Sequence, residues 1–452
     1  MFGATGSGKT SGPAKHLAYG YLAGDFGGLV LCAKKEERIQ WQQWARECGR
    51  ADDLVIVDSS GNCRFNFLDW EAERPVEGGG FTINIVALLD EIAGTIFASP
   101  GKGGDSDKFW KDALHHLNMN LVELPVLAGL RVSLPLLRTI VTSAPQSPEQ
   151  AGDPAWQENS ACFAVVQEAR KAVAKKDAEA QAAFKECEDY WLKEVPGLAE
   201  KTRSIILLSF SMLAHSFMVR PLRKLFSSDS NVRPEDAFGG KIIIVDLPIQ
   251  EYRLAGRIAN LAWKYCFQIA VLRRMQPPDR KSFLRPVFLW ADEAQNFVSK
   301  FDAEYQAVAR SAGGCTVYLT QNRESYRRVL GNDDAVDSLL GNLQNKFFCQ
   351  NAGDTNEWAS KLLGEHWVYT NATNVGQGRN DNGQAGANHS SGVTRSEQKR
   401  NFIEPAAFTT LKRGGELHNF LVEAIVYKGG HLFPGTGKSG PLPYHLLTLD
   451  QR

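Results

Sequence analysis

Apolar residues fall along this chain in two rhythms. Short segments centred on apolar residues at 26–33, 53–58, 240–248, 285–291, 315–322, 345–350 and 421–427 predict β-strands, the last of these being the final strand. Amphipathic stretches at 9–18, 34–48, 254–274, 303–312 and 355–363 lie between them and predict helices. Strand and helix alternating in this way predict an α/β fold, with a mainly parallel sheet flanked by helices. From 81 to 232 the rhythm is helical throughout. Ile85, Leu88, Leu89, Ile92 and Ile96 recur at the spacing of one helical face, and Phe109, Trp110, Leu114, Leu117, Leu121 and Leu124 repeat it. Further helices are expected at 132–141, 163–192 and 202–226, with a polar, Pro-containing linker at 145–154. The chain therefore divides into an α/β domain in two halves, 1–80 and 233–452, and an all-α insertion at 81–232. Residues 371–400, rich in Gly, Asn and Ser and almost without apolar side chains, predict a flexible loop.

Composition changes this picture little. At 452 residues the chain is long enough for two domains, and 43% hydrophobic with 23% charged residues is ordinary for a folded protein. Lys+Arg and Asp+Glu balance at 51 each, so any contact with nucleic acid must come from local patches or a central pore. The 8 cysteines are scattered without a C-x-x-C pair and read as reduced thiols. The 9 histidines show no metal-ligand spacing, and no stretch reaches the roughly 20 apolar residues of a membrane span.

The chemistry concentrates in two places. Gly3-Ala4-Thr5-Gly6-Ser7-Gly8-Lys9-Thr10 fits G-x-x-x-x-G-K-[ST], a phosphate-binding loop. A Gly-rich turn can aim successive backbone N–H groups at phosphate oxygens, and the helix after it adds the partial positive charge of its N-terminus. In this pattern Lys9 reaches the outer phosphates and Thr10 offers a hydroxyl to Mg²⁺. Such a loop follows a buried strand; only Met1 and Phe2 stand before it, so that strand is expected upstream of residue 1. Downstream, the apolar run 286–291 ends in Asp292-Glu293. An Asp at such a strand end holds Mg²⁺, and a Glu after it can accept a proton from the attacking water. Together the two motifs predict a P-loop NTPase of RecA-like fold that binds ATP and Mg²⁺. Gly435-Thr436-Gly437-Lys438-Ser439 imitates the first loop, but Leu432 stands where its first glycine belongs, and a C-terminal turn is expected there.

The order of motifs resembles the type IV secretion coupling proteins, the TraG/TraD-type conjugative DNA-transfer ATPases. Besides the P-loop and Asp292-Glu293, Arg64-Phe65-Asn66-Phe67-Leu68-Asp69 is similar to the family's Asn-Pro-Leu-Asp segment, with Phe67 where Pro is usual. Asp107-Lys108-Phe109-Trp110-Lys111-Asp112-Ala113 resembles the Phe-Trp signature of its all-α domain. Arg310-Ser311-Ala312-Gly313-Gly314 through Thr320-Gln321-Asn322 resembles the segment ending in its sensor glutamine, and 345–364 its Ser-Lys-Leu-Leu-Gly helix. The likeness runs over residues 1–430. It departs from the family at Ala33-Lys34, where Asp usually precedes Lys, and in lacking an N-terminal membrane anchor. The resemblance implies that Gln321 senses the γ-phosphate or orients water, and that Arg310 is an arginine finger for a neighbouring subunit, with Arg327 and Arg328 as rivals. It further implies a ring hexamer at the cytoplasmic face of the bacterial inner membrane. Its partners would be single- or double-stranded DNA, a relaxase or other secreted proteins, and channel components. Two other readings stand beside this one: a soluble FtsK/HerA-like DNA translocase, and a nucleotide-binding recruitment module without motor activity.

Overall fold

The computed structural model describes residues 1–75, 78–96, 105–274, 285–378, 388–435 and 440–452. The chain forms two compact bodies. One comprises Met1–Leu17, Leu319–Arg328 and Val336–Arg452; the other comprises Ala18–Tyr318 and Val329–Ala335.

The larger body is built on a five-stranded parallel sheet. In chain order its strands are β1 (Gly27–Leu31), β2 (Leu54–Asp58), β3 (Ile242–Asp246), β4 (Val287–Ala291) and β5 (Gly314–Tyr318), arranged β2-β3-β1-β4-β5. Every residue of β1 and β4 is buried, which is why these strands read as unbroken apolar runs. The helix Lys35–Glu47 covers β4 with two indoles. Trp41 stacks on Phe288 at 5.2 Å between centroids and meets Trp290 edge-on. Gly28 in β1 makes room for this stack, since a Cβ there would lie 2.5 Å from the Phe288 ring. The helix Ile249–Arg273 presents a largely buried face that includes Ile258, Trp263 and Phe267.

Among the described residues no strand lies between Asp58 and Ile242. The main helices there are Thr82–Ile96, Asp105–Ala128, Leu134–Thr142, Ala161–Val173, Ala178–Asp189 and Glu200–Met218. The long helix expected over 163–192 is broken at Asp177, whose side chain caps the second half by accepting from the Ala180 N–H. The expected linker 145–154 instead carries the short helices Pro148–Ala151 and Pro154–Asn159 at its end. Ser147 and Asp153 cap them, with proline at the first helical position, where its missing N–H costs nothing. Asn66, in the motif at 64–69, caps the helix Phe67–Ala72 and donates through Nδ2 to the Val132 carbonyl at 2.9 Å. That motif thus has a structural task. Phe109 and Trp110 fall in the helix Asp105–Ala128, but their side chains lie outside the described residues.

The smaller body holds an antiparallel sheet of order β10-β9-β6, from β6 (Asn345–Phe348), β9 (Leu421–Lys428) and β10 (Tyr444–Asp450). β10 corrects the expectation that β9 is the last strand. It is an edge strand with half its side chains in solvent, so it leaves no apolar run to read. Residues 371–400, expected as a flexible loop, hold most of a two-stranded antiparallel ribbon, β7 (Glu365–Gly378) and β8 (Asn388–Asn401), paired from Glu365↔Asn401 to Gly378↔Asn388. Its pairing rests on backbone bonds and on exposed cross-strand contacts such as Lys399 over Trp367, so it needs no apolar face. The turn expected at 435–439 lies outside the described residues apart from Gly435. Among the described residues no helix is long and apolar enough to cross a membrane.

Candidate nucleotide site

In the smaller body the P-loop begins from a stub of strand. Phe2 forms parallel bridges to Thr320 and Phe348. Its N–H donates to the Phe347 carbonyl at 2.8 Å and its carbonyl accepts from the Cys349 N–H at 2.9 Å. Gly3 N–H then donates to the Thr320 carbonyl (3.2 Å) and Ala4 N–H to the Gln350 carbonyl (2.9 Å). Gly6 (φ 72°) and Gly8 (φ 80°) are left-handed, a conformation that costs a residue with a Cβ roughly 1–2 kcal/mol. Gly3 and Gly8 are also required by space. A Cβ on Gly3 would sit 2.3 Å from Ser7 Oγ, and one on Gly8 would strike Val422 at 2.6 Å and the Arg413 carbonyl at 2.9 Å.

Beyond the loop the helix starts differently from the expectation of a regular helix over 9–18. Thr10–Ala14 is a π-helical turn, and the α-helix proper is Lys15–Ala23. Pro13 is the reason. It has no N–H to give the Lys9 carbonyl, which accepts from Ala14 instead, at 3.1 Å and five residues on. Lys9 is buried, and Ser7 Oγ is buried without a hydrogen-bond partner. A buried hydroxyl with nothing to bond is costly unless a ligand supplies the partner. That orphan, with the left-handed glycines, fits a bound phosphate. Gln321 belongs to this body as well. It lies three residues beyond the end of β5, half-buried, its carbonyl accepting from Asn351 Nδ2 at 2.7 Å.

The acidic pair lies in the larger body, just past β4. Asp292 and Glu293 are both buried. Asp292 Oδ1 accepts from the Glu293 N–H at 2.8 Å. Glu293 is one of few non-glycine residues with positive φ (50°), and the turn it makes launches Ala294–Asn296. Its Oε1 accepts from Lys34 Nζ at 2.9 Å and its Oε2 from Gln295 Nε2 at 2.7 Å. Burial alone would lower the Lys34 pKa, but the bond and charge of Glu293 outweigh it and hold the ammonium above its usual value. Lys34, which keeps the family pattern at Ala33-Lys34, is thus the ion-pair partner of Glu293, while Ala33 supplies no side-chain hydrogen bond in place of the usual Asp. Glu37, in the first turn of the helix Lys35–Glu47, reaches back to accept from the Ala33 N–H through Oε2 at 2.8 Å, while Oε1 has no partner. Burial, and then the nearby Asp292 charge, push the Glu37 carboxyl well above the usual carboxylate range. Neither Lys34 nor Glu37 was singled out as a site residue; the unusual dipeptide was the one signal. Arg310 follows the helix Phe301–Ala309 and is exposed, as are Arg327 and Arg328.

The P-loop motif, the acidic pair after β4 and the parallel sheet are those of the P-loop NTPase fold class. Comparison narrows the class: residues 286–413 match the family model described as the TraM recognition site of TraD and TraG. This bears out the resemblance to the TraG/TraD-type coupling proteins. Among solved structures, the chain is similar to the bacterial conjugative coupling protein TrwBdeltaN70 in its unbound monoclinic form. That match has 16% identity and a TM-score of 0.60, over 100% of this chain and 83% of that one. Plasmid coupling protein TrwB in complex with the ATP analogue ADPNP matches with 16% identity and a TM-score of 0.56, over 100% and 85%. The same protein with ADP and Mg²⁺ matches with 17% identity and a TM-score of 0.55, over 100% and 84%. These likenesses establish the RecA-like α/β fold. No curated protein matches the sequence.

Proposed function

We propose that this chain is an ATP-driven motor that delivers DNA or a nucleoprotein to a type IV secretion channel. One observation carries the reading: the segment matching the TraD/TraG family, 286–413, is the one that contains Asp292, Glu293, Arg310 and Gln321. TrwB, whose fold the chain shares, is described in complex with ADPNP and with ADP and Mg²⁺, which supports ATP and Mg²⁺ as ligands here.

Each role follows from residue chemistry. The backbone of 3–8 and Lys9 bind the phosphates, with the Ser7 hydroxyl completing its bonding on them. Thr10 and Asp292 would hold Mg²⁺, which when bound neutralises phosphate charge. Glu293 accepts a proton from the attacking water. Gln321 orients that water or senses the γ-phosphate, and Arg310 acts on the site of a neighbouring subunit in a ring hexamer. The helices of 81–232 form the face that meets substrate, at the cytoplasmic side of the inner membrane, where a relaxase or another secreted protein would arrive with the DNA. Net charge is zero and no base-reading motif is present, so phosphate contacts dominate DNA binding.

The test is ATP turnover with and without single-stranded DNA, over a salt titration. The motor reading requires turnover that DNA stimulates, and affinity that falls steeply with salt but ignores sequence. Nucleotide binding without turnover would leave a recruitment module instead. A DNA-stimulated ATPase that fails to support conjugative transfer would leave the FtsK/HerA-like translocase.

A further inference from the structure

A second loop borders the P-loop. A pocket of about 300 Å³ is lined by Gly6 and by residues 413–418. Contact between the two loops is close because Gly8 has no side chain: its missing Cβ would lie 2.9 Å from the Arg413 carbonyl. Arg413 is bridged to Val422 in β9, and its side chain is exposed. The next two residues are left-handed glycines, Gly414 (φ 83°) and Gly415 (φ 69°). Both meet a single side chain, Gln451, just beyond β10: Gly414 by close approach and Gly415 through its backbone N–H. A Cβ on Gly414 would fall within 2.1 Å of Gln451 Oε1. The Gly415 N–H donates to that same oxygen at 2.8 Å. The other end of the amide faces the P-loop helix, where Gln451 Nε2 donates to Ser11 Oγ at 2.5 Å. Lys15 Nζ donates to the Gln451 backbone carbonyl at 3.2 Å. Gln451 thus uses both ends of its amide to tie the loop 413–418 to the residue immediately after Thr10.

We propose that the loop 413–418 is the second wall of the phosphate site, that Arg413 is a further phosphate-binding cation, and that Gln451 is the positioning residue that clasps this wall to the P-loop. The ligand class is the polyphosphate chain of a nucleoside di- or triphosphate. The chemistry is that of a guanidinium fork, which binds phosphate oxygens in pairs where an ammonium acts as a point charge. Glu416 shares the pocket lining, and its carboxylate opposes an anion, so its removal strengthens binding. The proposal rests on the reading that the P-loop binds nucleotide.

The experiment uses the full chain, a fluorescent ATP analogue, and its displacement by inorganic tripolyphosphate, which has no base or sugar. Arg413→Ala is expected to weaken both ligands about tenfold or more, the range of a charge-assisted bond, and Arg413→Lys to recover part of the loss. Gln451→Ala weakens both without moving the unfolding midpoint by more than a few degrees. Gln451→Glu, which still accepts from Gly415 and can accept from the Ser11 hydroxyl, recovers most of it. Glu416→Gln tightens tripolyphosphate. Should Gln451→Ala fail to fold, the exposed Arg413 and Glu416 variants carry the test. Wild-type affinity for both ligands in Arg413→Ala and Gln451→Ala, while Lys9→Ala loses them, overturns the proposal. If Lys9→Ala binds as well as the parent, the P-loop reading fails instead.

Discussion

Glu293 is asked to do two incompatible things, and substitution can separate them. It sits in left-handed backbone (φ 50°), which costs a residue with a Cβ roughly 1–2 kcal/mol over glycine. Glycine at the same place gives back about 0.4–1 kcal/mol by freeing the unfolded chain. At the middle of both ranges the balance leaves Glu293→Gly about 0.8 kcal/mol more stable than Glu293→Ala, the reverse of the usual order in a helix. Both lose the pair with Lys34, whose side chain is 36% exposed against 9% for Glu293. With the Lys34 ammonium within reach of water the loss lies between the ~1 kcal/mol or less of an exposed pair and the ~3–5 kcal/mol of a buried one, and being common to both variants it cancels in their comparison. Activity follows a different rule. All three changes, to Gly, Ala or Gln, remove the proton acceptor, and a general base contributes about 10²–10⁴-fold. Glu293→Gln keeps the shape, should hold ATP at parental affinity, and should lose at least two decades of kcat. Urea unfolding at constant m-value reads the first effect and phosphate release the second. An alanine variant as stable as the glycine variant would refute the strain argument. A kcat within tenfold of the parent for Glu293→Gln would refute the catalytic one.

Lys9→Ala should abolish ATP hydrolysis; because Lys9 is buried, circular dichroism must accompany the turnover assay, and retained turnover in a folded variant would remove the P-loop from the mechanism. Burial lowers the Lys346 pKa from 10.5 to about 8, so between these values the folded chain binds fewer protons than the unfolded one and stability rises with pH. Lys346→Met should erase that rise, by no more than about 3 kcal/mol before solvent screening is allowed for, and urea midpoints equally pH-dependent in parent and variant between pH 8 and 10 would refute it. Arg310→Ala and Lys9→Ala should each be inactive, and mixing them should restore some turnover if Arg310 acts across subunits; normal activity of Arg310→Ala alone excludes it.

What the sequence made legible followed from burial. β1, β3 and β4 are covered on both faces, so each left an apolar run that could be read directly. The ribbon β7–β8 and the edge strand β10 satisfy their backbones without burying a face, and a rule based on apolar pattern passes over them. The π-turn was missed, although it had a local signal in Pro13, which lies where the first helical hydrogen bonds must form. Lys34–Glu293 and Gln451–Gly415 had no local signal, since 259 and 36 residues separate the partners and only the folded chain joins them.

The P-loop itself shows how one pattern can hold two demands. Its glycines were read as phosphate chemistry, and their left-handed angles suit that reading. Yet Gly3 is also held to glycine by Ser7, and Gly8 and Gly12 by Val422, with a Cβ at any of the three lying 3.0 Å or less from a neighbour. A substitution at Gly8 or Gly12 would disturb the packing against β9 before any nucleotide arrived. Loss of activity in a Gly8 variant would therefore say nothing about phosphate binding. The discriminating position is Ser7: its hydroxyl is buried and lacks a bond in the folded chain, so no internal hydrogen bond is lost when it is removed. Ser7→Ala should leave stability unchanged or raise it by about 1 kcal/mol, because an unsatisfied buried polar group disappears. If a phosphate supplies the missing partner, the same change should weaken ATP binding. A variant that gains stability and keeps its full affinity for ATP would mean that the orphaned hydroxyl has nothing to do with the ligand.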